Sequence, residues 1–172
     1  MLNLIVRRDY SVMHRANNWE APKWIQLYAL GSTRGGDGWL WFAIGLAVLV
    51  FGGSERFAAV SGGSLAGILS VGAFLWLKRF TGRKRPIHIE PHCWATLLPP
   101  DQFSFPSGHT MTAFAVCVPL SLFYPPLAAV FFFCALSVAI SRILLGMHFL
   151  SDVLAGALIG TALGCLGFLT FR

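Results

Sequence analysis

Between His109 and Arg142 the chain carries no Asp, Glu, Lys or Arg. An α-helix rises ~1.5 Å per residue, so one helix over 110–141 would far overshoot the ~30 Å hydrocarbon core of a bilayer. The run must therefore fold back on itself. Tyr124-Pro125-Pro126 supplies the break, because proline cannot continue a helix interior. Two membrane spans are expected, at about 107–123 and 126–144.

Other charge-free runs extend the pattern. They cover 38–54, 57–77 and 153–171, each near the ~17–25 residues a spanning helix needs. The run 57–77 contains Ser61-Gly62-Gly63-Ser64-Leu65-Ala66-Gly67, whose small side chains suit close helix packing. Of the 172 residues 56% are hydrophobic and only 12% charged, where soluble domains carry roughly 25% charged residues. The expectation is an all-α polytopic membrane helix bundle of about five transmembrane helices, forming a single domain over 1–172. Within it, 38–172 would be the catalytic bundle and 1–37 an interfacial N-terminal segment. In 19–30, Glu20, Lys23 and Gln26 recur on one face while Trp24, Leu27 and Tyr28 take another, as in an amphipathic helix at headgroup level. A sixth, weakly hydrophobic span is the alternative. No signal peptide is expected, since Leu2–Val6 is short and Arg7, Arg8 and Asp9 follow it.

The net charge is +6. The basic residues flank apolar runs, so anionic lipid or phosphate is the expected partner rather than nucleic acid. Cys117, Cys134 and Cys165 fall in apolar runs and Cys93 stands alone in a loop, which reads as reduced packing rather than a disulfide framework.

With about five spans, 1–37, 78–106 and 142–152 share one side of the membrane, and the turns at 52–56 and 124–126 share the other. Three polar clusters then converge. Lys78 to Pro86 leaves the second span, Phe105 to Thr110 enters the third, and Ser141 to Asp152 joins the fourth and fifth. Singly, each has a bland reading. Lys78 and Arg85 could snorkel. Pro106-Ser107-Gly108-His109 could simply start a helix, although free N–H groups and a positive dipole there also bind phosphate. His148 and Asp152 are four apart, a spacing that brings imidazole and carboxylate together on a helix. The carboxylate could hold one ring nitrogen protonated and leave the other to attack. Together, two histidines, one carboxylate, one Lys, two Arg, a Ser and a glycine-bearing helix start are the inventory for phosphoryl transfer through a histidine. Asp152 is the only carboxylate in the set, so the cations would neutralise phosphate charge in place of a metal. His88, Glu90, His92 and Cys93 match no strong metal pattern, and Arg34 and Asp37 in Arg34-Gly35-Gly36-Asp37-Gly38 read as a turn that could contact a headgroup.

The chain resembles the type-2 phosphatidic acid phosphatase superfamily, the metal-independent membrane lipid phosphatases related to vanadium haloperoxidases. Its three motifs, K-x6-R-P, P-S-G-H and S-R-x5-H-x3-D, stand complete as Lys78…Arg85-Pro86, Pro106-Ser107-Gly108-His109 and Ser141-Arg142…His148…Asp152. The resemblance implies His148 as nucleophile, Asp152 as its orienting partner and His109 as general acid. It implies Lys78, Arg85, Ser107, Gly108 and Arg142 as phosphate binders, with neither metal nor cofactor. The expected activity is hydrolysis of a lipid phosphomonoester or pyrophosphate, such as phosphatidylglycerol phosphate, phosphatidic acid, undecaprenyl pyrophosphate or a lipid A phosphate. A lipid phosphotransferase and a non-catalytic phospholipid-binding or transport protein are the alternatives. The oligomeric state is left open. The excess of Lys and Arg on the catalytic side points to the cytoplasm by the positive-inside rule. The resemblance implies the periplasmic face of a bacterial inner membrane, and that is the expectation taken.

Overall fold

The structure is a computed structural model that describes residues 2–90 and 102–172. Among these residues it is helical, with an isolated antiparallel bridge between Lys84 and Phe103. The helices are α1 (Leu2–Asn17), α2 (Lys23–Gly35), α3 (Trp39–Phe51), α4 (Arg56–Thr81), α5 (Gly108–Phe123), α6 (Ala128–Leu144) and α7 (Leu150–Phe171). Short 3-10 turns cover Gly53–Glu55, Pro86–His88 and Pro125–Leu127. The proline pair breaks the long apolar run as expected. The two far turns meet, with the Tyr124 hydroxyl donating to the Gly52 carbonyl at 2.9 Å.

α5 is the centre of the bundle and packs against α4, α6 and α7. Its residues Met111, Ala113, Ala115 and Cys117 are fully buried. Contact with α7 is close because α7 presents Gly156, Gly160 and Gly164 one turn apart. A Cβ at Gly156 would lie 2.7 Å from the Ser107 carbonyl oxygen, and one at Gly164 would lie 2.7 Å from Val118 Cβ. Without side chains between them, the two backbones gain van der Waals contact, the main source of helix association in lipid. On α4, Gly62 backs onto the Gly167 carbonyl, so the small-residue run of α4 does serve close packing.

Large apolar side chains point outward from the bundle: Phe42 on α3, Ile68 on α4, Phe133 on α6 and Leu158 on α7. An outward apolar surface suits lipid, and the chain is an integral membrane protein. Among the described residues three helical stretches are long and apolar enough to cross a membrane, at 53–81, 125–144 and 150–171, against about five expected from sequence. α2 and α3 together could make a fourth, bent by 65°. The expected span at 38–54 is thus the second half of a bent pair, and the amphipathic 19–30 belongs mainly to the first half. α5 is apolar but only 16 residues long, ~24 Å at helical rise. Its apolar composition reflects burial among other helices as much as contact with lipid.

Candidate active site

Three pieces of chain build the polar end of the bundle. The first follows α4, which ends at Gly82 in the left-handed region (φ 55°). The chain then runs extended, and the Lys84–Phe103 bridge and a Ser104 N–H bond to the Arg83 carbonyl (2.8 Å) align it with 103–104. This places the Arg85 side chain and the Ser104 carbonyl on the same neighbour, His148.

The second piece is the start of α5. Ser107 is its N-cap residue, and its side chain does not cap the helix; instead its hydroxyl shares a hydrogen bond with that of Thr110 (2.9 Å). The first N–H groups of α5 therefore face the site with no intrahelical acceptor, an arrangement that favours an anion. The Ser107 N–H donates to the Asp152 carbonyl at 3.1 Å, which joins this end to α7. Gly108 lies flat against Phe74 of α4, where a Cβ would sit 3.2 Å from the ring. Lys78 Nζ lies 5.3 Å over the same ring, which brings the lysine to this edge.

The third piece is the loop between α6 and α7. Gly146 takes a left-handed φ of 64°, open to glycine at little cost. The turn lets the N–H groups of Met147 and His148 both donate to the Arg142 carbonyl (3.0 and 3.1 Å). The Gly146 carbonyl accepts from the Ile87 N–H at 3.2 Å, which ties this loop to the first piece.

The loop fixes His148, which is only 2% exposed. Its Nδ1 lies 2.6 Å from the Ser104 carbonyl oxygen and its Nε2 lies 3.0 Å from Arg85 Nη1. A carbonyl only accepts and a guanidinium only donates. The tautomer follows: Nδ1 carries the hydrogen and Nε2 presents its lone pair. Arg85 is 2% exposed and also donates to the Met147 carbonyl. Arg142 is buried and donates to the Thr33 hydroxyl of α2. Burial first, then the Arg142 and Arg85 guanidiniums, holds the His148 ring well below the usual imidazole range.

Asp152 does not take the place that the i,i+4 spacing suggests. Its Oδ2 lies 3.8 Å from His148 Nδ1 and accepts instead from the Phe149 N–H at 2.8 Å. Its Oδ1 accepts from Arg83 Nη1 at 2.7 Å. The orienting bond to the ring comes from the Ser104 carbonyl. His109 donates Nε2–H to Asp37 Oδ1 at 2.6 Å. Asp37 lies in the turn between α2 and α3, beside Gly38.

The structure thus gathers Arg85, Arg142, Ser107, Gly108, His109, His148 and Asp152 at one end of the bundle, with Lys78 at its edge. It adds four residues that sequence reasoning left without a role there, Ser104, Arg83, Asp9 and Thr33, and it gives Asp37, read from sequence as a turn that could contact a headgroup, a partner in His109. Ser104 contributes a backbone atom, which leaves no mark in sequence. Arg83 is hidden in a basic run. Asp9, the lone acid among residues 1–19, carried a signal in its isolation. Of the possible metal ligands, Glu90 pairs with His14 at 3.0 Å, and His92 and Cys93, like the Cys93 packing assignment, lie outside the described residues. Cys117, Cys134 and Cys165 are free thiols.

Below Asp37 an apolar cavity of about 760 Å³ runs between α3, α4 and α5. Gly38, Phe42 and Gly45 line one wall, Val60, Gly63 and Ile68 another, and Thr112 and Val116 the floor.

A sequence profile described as the PAP2 superfamily matches residues 57–172. Among curated proteins, the lipid A 1-phosphatase of Rhizobium johnstonii is 32% identical over 119 residues, covering 67% of this chain and 46% of that protein. The chain spans about half the length of that relative. The decaprenylphosphoryl-5-phosphoribose phosphatase of Mycobacterium tuberculosis is 34% identical over 138 residues, covering 75% of this chain and 69% of that protein. The crystal structure of Aquifex aeolicus LpxE superposes with a TM-score of 0.79 at 29% identity over 94% of each chain. The transmembrane PAP2-type phosphatidylglycerolphosphate phosphatase of Bacillus subtilis superposes with a TM-score of 0.70 at 26% identity, covering 96% of this chain and 85% of that one.

Proposed function

This chain belongs to the PAP2 superfamily, and from that premise we propose that it is a membrane lipid phosphatase that works through a phosphohistidine. The substrate is a lipid phosphomonoester or pyrophosphate. The activities for which the relatives are named, on lipid A, a decaprenyl phosphosugar and phosphatidylglycerol phosphate, support a lipid-linked phosphate without selecting one. The observation that carries the reading is the state of His148: buried, its Nδ1–H given to a peptide carbonyl, its Nε2 lone pair turned to a buried guanidinium.

Arg85, Arg142, Lys78, Ser107 and the N–H groups at Gly108 hold the phosphate oxygens. Arg85 shifts its N–H from Nε2 to a phosphate oxygen. Nε2 then attacks phosphorus, a P–N bond forms, and the bond to the lipid oxygen breaks. His109, protonated on both ring nitrogens once the phosphate charge joins that of Asp37 against its burial, gives its Nδ1 proton to that oxygen, or the lipid phosphate leaves if the substrate is a pyrophosphate. A water then gives a proton to His109 and its oxygen to phosphorus, the P–N bond breaks, and phosphate departs with the His148 lone pair restored. Asp152 steadies the loop and places a negative charge near the ring as it becomes cationic. The site faces the periplasm, and one lipid chain lies in the cavity below Asp37.

His148→Ala should abolish phosphate release from detergent-solubilised protein given short-chain phosphatidic acid, a loss of about 10⁴-fold or more. Full activity in that variant sinks the histidine mechanism. EDTA should leave the wild type active; loss restored by a divalent metal overturns the metal-free scheme.

A further inference from the structure

Arg83 has no part in the scheme above, yet its side chain bridges two buried carboxylates from opposite ends of the chain. Nη2 donates to Asp9 Oδ2 at 2.7 Å, and Nη1 donates to Asp152 Oδ1 and to Ser151 Oγ, each at 2.7 Å. The guanidinium lies 4.1 Å over the Phe149 ring. Asp9 is 2% exposed on a helix whose residues 4–8 are all exposed. It accepts the Ser151 N–H at 2.9 Å and the Ser151 hydroxyl at 2.5 Å. Tyr10 stands 5.7 Å from Phe149, ring centre to ring centre. α1 therefore grips the residues immediately after His148 and the first turn of α7.

Asp152 reaches the His148 ring without a hydrogen bond. Its influence passes through the Phe149 N–H and through its charge, so its exact placement matters. The Phe149 N–H holds one Asp152 oxygen and Arg83 holds the other, while Asp9 holds the far side of Arg83. A planar fork can bind two carboxylates in fixed directions, whereas an ammonium cannot reproduce both. We propose that Asp9 and Arg83 are positioning residues for His148, and that docked α1 is a working part of the catalytic end rather than an appendage.

The proposal rests on the phosphatase reading, so its test has one arm that needs no activity. Full-length wild type, Asp9→Asn, Arg83→Lys and His14→Ala would be compared in detergent. The readouts are kcat and KM on dioctanoyl phosphatidic acid, the thermal midpoint, and amide hydrogen exchange over 145–152. Small displacements of reacting groups cost about ten- to a hundredfold in rate. Asp9→Asn and Arg83→Lys should lower kcat by at least about tenfold with KM within about twofold. They should also speed exchange at the Phe149 and Ser151 amides at temperatures where the protein stays folded. His14→Ala, which removes the Glu90 contact and a ring 6.4 Å from Tyr10 but touches neither Asp9 nor Arg83, should change neither. A smaller loss of kcat, a rise in KM alone, an equal loss in His14→Ala, or unchanged exchange overturns the proposal. An inactive wild type would instead refute the phosphatase reading, and the exchange arm would still decide the role of Asp9 and Arg83.

Discussion

His148 is oriented by a peptide carbonyl because it does not stand on a helix. The i,i+4 pairing of His148 with Asp152 presumes that both residues lie within one. α7 begins at Leu150, so Asp152 sits in its first turn, where unpaired N–H groups and the helix dipole draw a carboxylate inward to the Phe149 N–H. Ser104 then fills the place beside the ring. The low proton affinity of His148 has a definite sign. As pH falls through about 6.5 the unfolded chain protonates this residue while the native state does not, so the unfolded state binds more protons and stability falls. The slope approaches about 1.4 kcal/mol per pH unit for one group. The difference in thermal midpoint between wild type and His148→Ala should therefore shift against the wild type as pH drops from 7 to 5, and the acid limb of kcat/KM should lie below 6.5. An acid limb at or above 6.5 that is set by this ring contradicts the electrostatic reading. Asp37 supplies the negative charge beside His109. Asp37→Asn keeps the shape and removes that charge, so kcat should fall by about 10- to 100-fold, with KM little changed in initial-rate assays.

Helices α3, α4 and α5 carry the next prediction. A Cβ on Gly45 would meet nothing within 4 Å, and Gly45 lines the apolar cavity. Gly45→Leu should therefore fill the space proposed for a lipid chain without disturbing the fold. It should lower kcat/KM for a long-chain lipid phosphate by about 10-fold, on the order of 1–3 kcal/mol of lost chain contact, and leave dibutyryl substrate unaffected. Equal loss on both substrates removes the cavity from substrate binding. Hydropathy alone located α4, α6 and α7 to within a few residues. It could not separate α5, apolar because it is central, from a lipid-facing span, since burial in protein and burial in lipid select the same side chains. Nor did it reveal α1. Residues 2–17 hold three arginines and an aspartate, and the aspartate becomes affordable only when Arg83 and Ser151 enclose it.

For the whole molecule, sidedness is read at the polar end, where every cluster converges. Lys84 is exposed there and no step above uses it, so it reports orientation without touching the chemistry. In a protein with its four native cysteines replaced, Lys84→Cys should react with a membrane-impermeant maleimide in intact cells. Labelling only after lysis places the site in the cytoplasm, as the positive-inside count suggests. The sequence by itself determined the solvent of this protein, its helical class and the chemical inventory of its site. Hydropathy, proline breaks and motif spacing are local properties, and each survives without knowledge of the fold. Tertiary structure alone decided which atom holds which. Ser104 reaches His148 across 44 positions, and Asp9 reaches Ser151 across 142. One of those contacts uses a backbone oxygen common to every residue, and the other uses an acid whose burial depends on a partner brought in by packing.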